Sequence, residues 1–360
     1  MNFENRAISI SLVILATISV FYVLVVGQAF LVPLAVAIMV WYVINALSGF
    51  YARIIPRITD KNWVTTLAAL ITIVLFISFA VDMVQNNITD VKDKIPEYTA
   101  NFNQLSSNVL NLTGLSDKMP NLGNLIEGLK ITPLISSLAG TFISMISNIT
   151  LVLIYVLFLM LEQGTFTKKI SALFPDKQRR EAVLSILNHT QADIQTYLGI
   201  KTMTSAITGL VSYFILLTMG VDFAGFWAFT IFLLNYIPTV GSIVATFFPA
   251  VLALVQFDTM FESVVILLAV GSVQLAVGNI LEPKLMGNSL NVSPFVVMIS
   301  LTLWGSIWGI AGMFLSVPIT VIMLIVFAHF EHTRYLAVLL SGDGSLKFAE
   351  NQTLGAHLDD

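Results

Sequence analysis

Apolar and polar positions in this chain fall into long blocks, with little short alternation. Near-continuous apolar runs cover 8–26, 29–50, 63–84, 137–161, 200–219, 226–255, 262–278 and 293–328. A helix needs about 20 mostly apolar residues to cross a bilayer, so most runs predict one span each. The first run is longer than a signal-peptide core, and its leading charges, Glu4 and Arg6, cancel. It is read as a span that forms a tight hairpin with the second, turning at Gly27-Gln28. Two runs are interrupted. In 226–255 the sequence Asn235-Tyr236-Ile237-Pro238-Thr239-Val240-Gly241-Ser242 breaks the apolar pattern, and Pro249 interrupts it again. This predicts either a proline kink or a discontinuous helix that re-enters. The run 293–328 is too long for one span and barely long enough for two. Gly305, Gly309 and Gly312, with Trp304 and Trp308 among them, predict a chain that breaks and turns inside the membrane.

The polar blocks set the expected topology. Arg53, Arg57 and Lys61, opposed by Asp60, place 51–62 and the N-terminus in the cytoplasm. In 85–132, Ile88, Val91, Ile95, Tyr98, Phe102, Leu105, Val109 and Leu112 alternate spacings of three and four. This is a heptad-like stripe on an amphipathic helix outside the membrane, which Pro96 should kink or restart. The stripe suits packing on its own domain or a seam between subunits. Gly140, Ser144 and Asn148 give the fourth span a small-residue packing face. Lys168, Lys169, Lys177, Arg179 and Arg180 make 162–199 a basic cytoplasmic connector helix, with Asp176 as its N-cap. Lys201, at the start of the next span, is expected to snorkel to the surface. The expected segments are 1–84 (hairpin plus third span), 85–136 (outer amphipathic segment), 137–161 (fourth span), 162–199 (connector), 200–334 (core with broken helices) and 335–360 (tail). The sequence leaves the side of the 279–291 loop open, but both countings put the C-terminus inside.

Composition sharpens the class. Charged residues make up 11% and hydrophobic ones 57%, against about 25% charged in a soluble domain. The chain is therefore expected to be an all-α polytopic membrane protein with about seven or eight passes, two of them interrupted or re-entrant. A net charge of −4 argues against a nucleic-acid partner. There is no cysteine, which removes thiol catalysis and Cys-based metal sites. No nucleophile elbow, zinc-protease motif or phosphate loop occurs, and His189 is the only histidine before His329. No catalytic residue, metal site or cofactor is expected.

The chemistry that remains belongs to the breaks. Discontinuous helices expose backbone groups near the bilayer midplane, where secondary transporters bind small solutes and ions. Asn235, Tyr236, Pro238 and Gly241 would shape the first break, and Gly305, Trp308 and Gly309 the second. Gly305 and Gly309 also fit plain GxxxG packing. Asn279 and Glu282 lie between the breaks. Glu282 reads either as a proton carrier or as an interfacial pair with Lys284.

These residues also carry a resemblance. Asn-Tyr-Ile-Pro at 235–238 is followed by Gly241-Ser242, and G-N-x-x-E-P-x-x-M-G runs from Gly278 to Gly287. Ser293-Pro294, W-G-x-x-W-G-x-x-G-M from Trp304 to Met313, and Ser316-Val317-Pro318 follow. In order and spacing this set resembles the autoinducer-2 exporter family of bacterial inner-membrane permeases. The resemblance implies secondary export of a small polar solute such as the quorum-sensing signal autoinducer-2, and a homo-oligomer in the bilayer, with a pentamer as its expected form. Some members of the family act as sodium–proton antiporters, which gives an alternative function. A non-transporting oligomeric scaffold, built through the outer stripe, is the third reading.

Overall fold

The structure is a computed structural model that describes residues 3–54, 62–113, 149–257, 259–287, 291–330 and 332–346. The expectations placed on Arg57, Asp60 and Lys61, on the Gly140, Ser144 and Asn148 face and on the end of the tail lie outside the described residues. The same holds for the stripe side chains other than Tyr98.

The described residues are mostly helical because lipid supplies no hydrogen bonds, so each spanning backbone must satisfy its own. Helix α1 covers Phe3–Val26, α2 Gln28–Ile54, α3 Asn62–Thr113, α4 Ile149–Leu173 and α5 Lys177–Thr218. Then come α6 (Ala224–Leu234), α7 (Val240–Gln256) and α8 (Met260–Ala276). A π-helical turn at Val277–Leu281 leads into the short α9 (Glu282–Met286), followed by α10 (Pro294–His329) and α11 (Arg334–Leu340). Among the described residues, six helical stretches are long and apolar enough to cross a membrane. They are Gln28–Ile54, Trp63–Asn87, Ile149–Leu173, Lys177–Thr218, Met260–Met286 and Pro294–His329. The protein is an all-α, multi-pass integral membrane protein.

Three expected boundaries change. The expected tight hairpin at Gly27 is not what the structure shows: helical bonds pass through this residue, its N–H bonding Val23 O at 2.8 Å and its carbonyl accepting from Leu31 N at 2.9 Å, and α1 is exposed over nearly all of 11–26. The third span and the outer amphipathic helix form one 52-residue helix that runs through Pro96 without a restart. A proline removes a single ladder bond, and the neighbouring turns keep theirs. The connector and the fifth span are likewise one 42-residue helix, capped as expected by Asp176 Oδ1 accepting from Arg179 N at 2.8 Å. At 1.5 Å per residue α5 is about 63 Å long, twice the hydrocarbon thickness.

The chain divides into two compact units. One comprises Ile44–Asn148 and Thr196–Ser289. Its core gathers Leu216, Trp227, Ile231, Ala253, Ile266 and Val270. Within it α6 and α7 fold back on each other as a hairpin, with Trp227 stacked on Phe248 at 6.2 Å. Gly241 makes that reversal possible, since a Cβ there would lie 1.7 Å from Leu234 O. The base of the hairpin is clasped by α3. Asp222 accepts from Lys94 Nζ at 2.5 Å and from the Tyr98 hydroxyl at 2.9 Å. Its own N–H donates to Gln256 Oε1, and Gln256 Nε2 donates to Gly220 O, both at 2.8 Å. Asn101 Nδ2 closes the clasp on Gln256 O at 3.0 Å. Burial first, and then the neighbouring Asp222 carboxylate, push the Tyr98 hydroxyl well above the ordinary tyrosine range, so it stays a donor.

The other unit comprises Met1–Val43, Ile149–Gln195 and Leu290–Asp360. In it α10 is a second hairpin, turning at Gly309 (φ 62°, ψ −141°). Ser300 Oγ donates to Ser316 O at 3.0 Å and accepts from Thr320 Oγ1 at 2.6 Å, so residues 16 and 20 positions apart face each other. A Cβ at Gly312 would lie 1.9 Å from Trp304 O, which only glycine allows at this turn. Beyond α10 the chain returns through α11, and Val292 bridges Ser341. Asn291 Nδ2 holds Asp343 Oδ1 at 2.7 Å and Ser345 O at 2.9 Å.

Candidate functional site

The α6–α7 hairpin cannot cross a bilayer with either arm alone as ordinary spans do. α6 has 11 residues, about 17 Å at helical rise, against a hydrocarbon core of about 30 Å. Its tip is the Asn235–Thr239 turn, where Val240 N bonds Pro238 O at 2.6 Å and Thr239 takes φ 60°. Of the two readings left open for this run, the discontinuous helix, and not a plain proline kink, describes the backbone found here.

Helix α5 holds the tip with polar side chains. Tyr197, Lys201, Thr204, Ser205, Thr208 and Ser212 recur at helical spacing, and none is more than 5% exposed. Asn235 Nδ2 donates to Ser205 Oγ at 3.1 Å, and the Tyr236 hydroxyl meets Thr202 Oγ1 at 2.7 Å. Thr204 and Thr208 turn their hydroxyls back to the carbonyls of Lys201 and Thr204. One turn beyond Tyr197, Lys201 Nζ contacts both oxygens of Glu282, at 2.7 and 2.9 Å. The Lys201 side chain is 6% exposed and that of Glu282 16%, so this ion pair sits in a low-dielectric setting. The π-turn just before Glu282 carries Gly278 and Asn279, and such turns concentrate at functional positions.

The structure thus brings Asn235, Tyr236, Pro238, Gly241 and Glu282 into one unit with α5, but it revises two expectations. Lys201 does not snorkel to a surface, because Glu282 offers it a buried counter-charge. Glu282 therefore pairs with Lys201 across α5 and α9, while Lys284 is exposed. Asn279 is exposed as well. Sequence reasoning missed Lys201, Thr202 and Ser205. The available signal was a lysine at the edge of an apolar run, followed by hydroxyl residues on the same face.

Gly305, Trp308 and Gly309 belong to the other unit. Gly309 makes the turn of α10, and a Cβ at Gly305 would press on Met313 Cγ at 2.9 Å, so Gly305 serves the close contact of the two arms. Trp308 Nε1 donates to Leu24 O at 3.0 Å. Among the described residues no group of His, Asp or Glu has the arrangement of a metal site.

Comparison with known proteins points in one direction. A model of the AI-2E family transporters matches residues 10–332. The chain is 29% identical to the AI-2 transport protein TqsA of Escherichia coli K12 over 315 residues, covering 86% of this chain and 89% of that protein. It is 29% identical over 354 residues to a Haemophilus influenzae protein provisionally named for transport, covering 94% and 97% of the two chains. A Borreliella burgdorferi protein with a similar provisional name is 34% identical over 215 residues, and the match spans 59% of each chain.

Proposed function

This chain belongs to the AI-2E transporter family, and on that footing we propose that it is a secondary permease exporting a small polar solute, autoinducer-2 or a molecule of its kind. The observation that carries the reading is the α6–α7 hairpin. Its polar tip, Asn235 and Tyr236, is buried against a polar stripe of α5 inside an otherwise apolar region. Irregular backbone at membrane depth persists where it lines a cavity or is buried in protein. The Ser212 hydroxyl, the Thr230 hydroxyl, the Trp227 indole N–H and the Gln274 amide N–H find no hydrogen-bond partner among the described residues. Buried polar groups of this kind call for a polar visitor or a functional reason. The second hairpin, at Gly309, supplies the other discontinuity of the family pattern.

In this reading Asn235, Tyr236 and Glu282 contact the solute or the groups that move with it, while Gly241 and Gly309 keep the breaks. The protein works in the bacterial inner membrane, with both termini cytoplasmic and as a homo-oligomer, a pentamer in the family pattern. The experiment compares the small molecules retained by cells with and without the protein, and then measures flux of the retained solute in proteoliposomes. Retention of a polar solute in the deleted strain, and its flux through the purified protein, support the reading. Identical solute profiles in the two strains would overturn it.

A further inference from the structure

The Glu282 carboxylate is the most buried acidic group in an ion pair of this unit, and both of its oxygens are engaged by one ammonium. The backbone beside Glu282 is irregular. Pro283 brings no N–H, so a carbonyl one turn back loses its helical donor. The π-turn shifts the ladder by one residue, with Glu282 N–H bonding Val277 O. A buried carboxylate at the junction of a helix and a π-turn is a place where a small monovalent cation can be held in a transporter. Here Lys201 already stands in that place. Its ammonium is a compact point charge fixed to the same fold, so it competes with any dissolved cation as an intramolecular partner.

We propose that Lys201 is a specificity-determining residue: a tethered cation that closes the Glu282 site to sodium. The proposal rests on the permease reading and narrows it, because it separates this chain from a sodium-coupled mechanism at the same position. Sodium binding at Glu282 requires displacement of Lys201, which would leave a second buried charge without its partner. Wild-type protein therefore carries out its cycle without a sodium ion at this carboxylate. Removing the ammonium leaves a buried site with a full negative charge and two carboxylate oxygens, which takes up a small hard cation in place of the lysine.

The test uses purified full-length protein in detergent and reads its melting temperature in sodium chloride against choline chloride at equal ionic strength. Wild type and Lys201→Arg are expected to melt at the same temperature in both salts. Lys201→Met is expected to gain a saturable, sodium-specific rise of several degrees, since a ligand that binds only the folded state stabilises it. The rise should vanish in Lys201→Met/Glu282→Gln. A sodium-specific shift in wild type that Glu282→Gln abolishes would overturn the proposal, as would a folded Lys201→Met with no sodium response. If Lys201→Met does not fold, Lys201→Gln is read in its place, with the same two outcomes. This readout involves no solute flux. A failed solute search overturns the export reading, whereas only the sodium titration touches Lys201.

Discussion

At the scale of single residues, the Lys201–Glu282 pair governs much of what a substitution will do. Removing one partner of a buried pair strands the other charge, a loss of about 3–5 kcal/mol, while replacing both by neutral groups of similar size costs far less. Glu282→Gln alone is therefore expected to lower thermal stability more than Lys201→Met/Glu282→Gln, and a double-mutant cycle of melting curves measures the difference. Asp343 gives a pH prediction outside the membrane. The Ser345 hydroxyl, the Ser345 N–H and the Asn291 amide together hold its carboxyl down to about 2, from 3.8. A carboxylate lowered on folding stabilises the fold above its unfolded value, and the contribution is lost as pH falls through the folded one. The Asn291 side-chain amide resonance should stay in place down to about pH 4 and move as pH approaches 2, and Asp343→Asn should abolish that titration. None of the ion pair's geometry was legible in the sequence. Its partners lie 81 residues apart, and local pattern assigned Lys201 to a helix end and left Glu282 between a proton-carrying role and a pair with Lys284.

At the scale of elements, the breaks were legible and the continuities were not. Proline and glycine within apolar runs marked Pro238, Gly241, Gly305 and Gly309, because few other residues are needed there for any purpose but turning or close contact. Gly309 is the sharper case. Its φ of 62° with ψ −141° lies outside the regions open to residues with a Cβ. Gly309→Ala should destabilise the protein by about 1–3 kcal/mol, seen as a lower melting temperature in detergent. Gly305→Ala should cost less, since its obstacle is the flexible Met313 side chain. The lengths of α3 and α5 were misread for a plain reason. A change from apolar to polar composition changes the solvent around a helix but leaves its hydrogen-bond ladder intact. The long α3 gains from this a reach that a separate outer helix would lack, since Lys94, Tyr98 and Asn101 grip the base of the α6–α7 hairpin. Gln256→Ala removes two of the clasp's hydrogen bonds at once, those with Asp222 N–H and Gly220 O, while its backbone carbonyl still receives Asn101. Amides of 220–223 are expected to exchange with deuterium at least about tenfold faster, an opening cheaper by the net worth of one or two hydrogen bonds.

At the scale of the whole molecule, the family match, the composition and the helical spans agree on a polytopic transporter. The absence of cysteine offers a clean route to its orientation, since each introduced thiol will be the only one present. Asp90→Cys, on the stretch of α3 expected to lie outside, should react with a membrane-impermeant maleimide in intact cells. Lys177→Cys, at the basic start of α5, should react only in everted vesicles. The reverse pattern would invert the topology expected from the Lys and Arg bias.

The contact between Trp308 and Leu24 has a practical corollary for anyone handling this protein. A helix leaves its last four carbonyls without internal donors, and Leu24 O is one of them. The indole at the α10 turn fills that need, and it is satisfied in return. Trimming the leading helix to simplify expression would therefore orphan a tryptophan N–H nearly three hundred positions downstream. A shortened clone that misbehaves would say more about that severed tether than about the missing residues themselves.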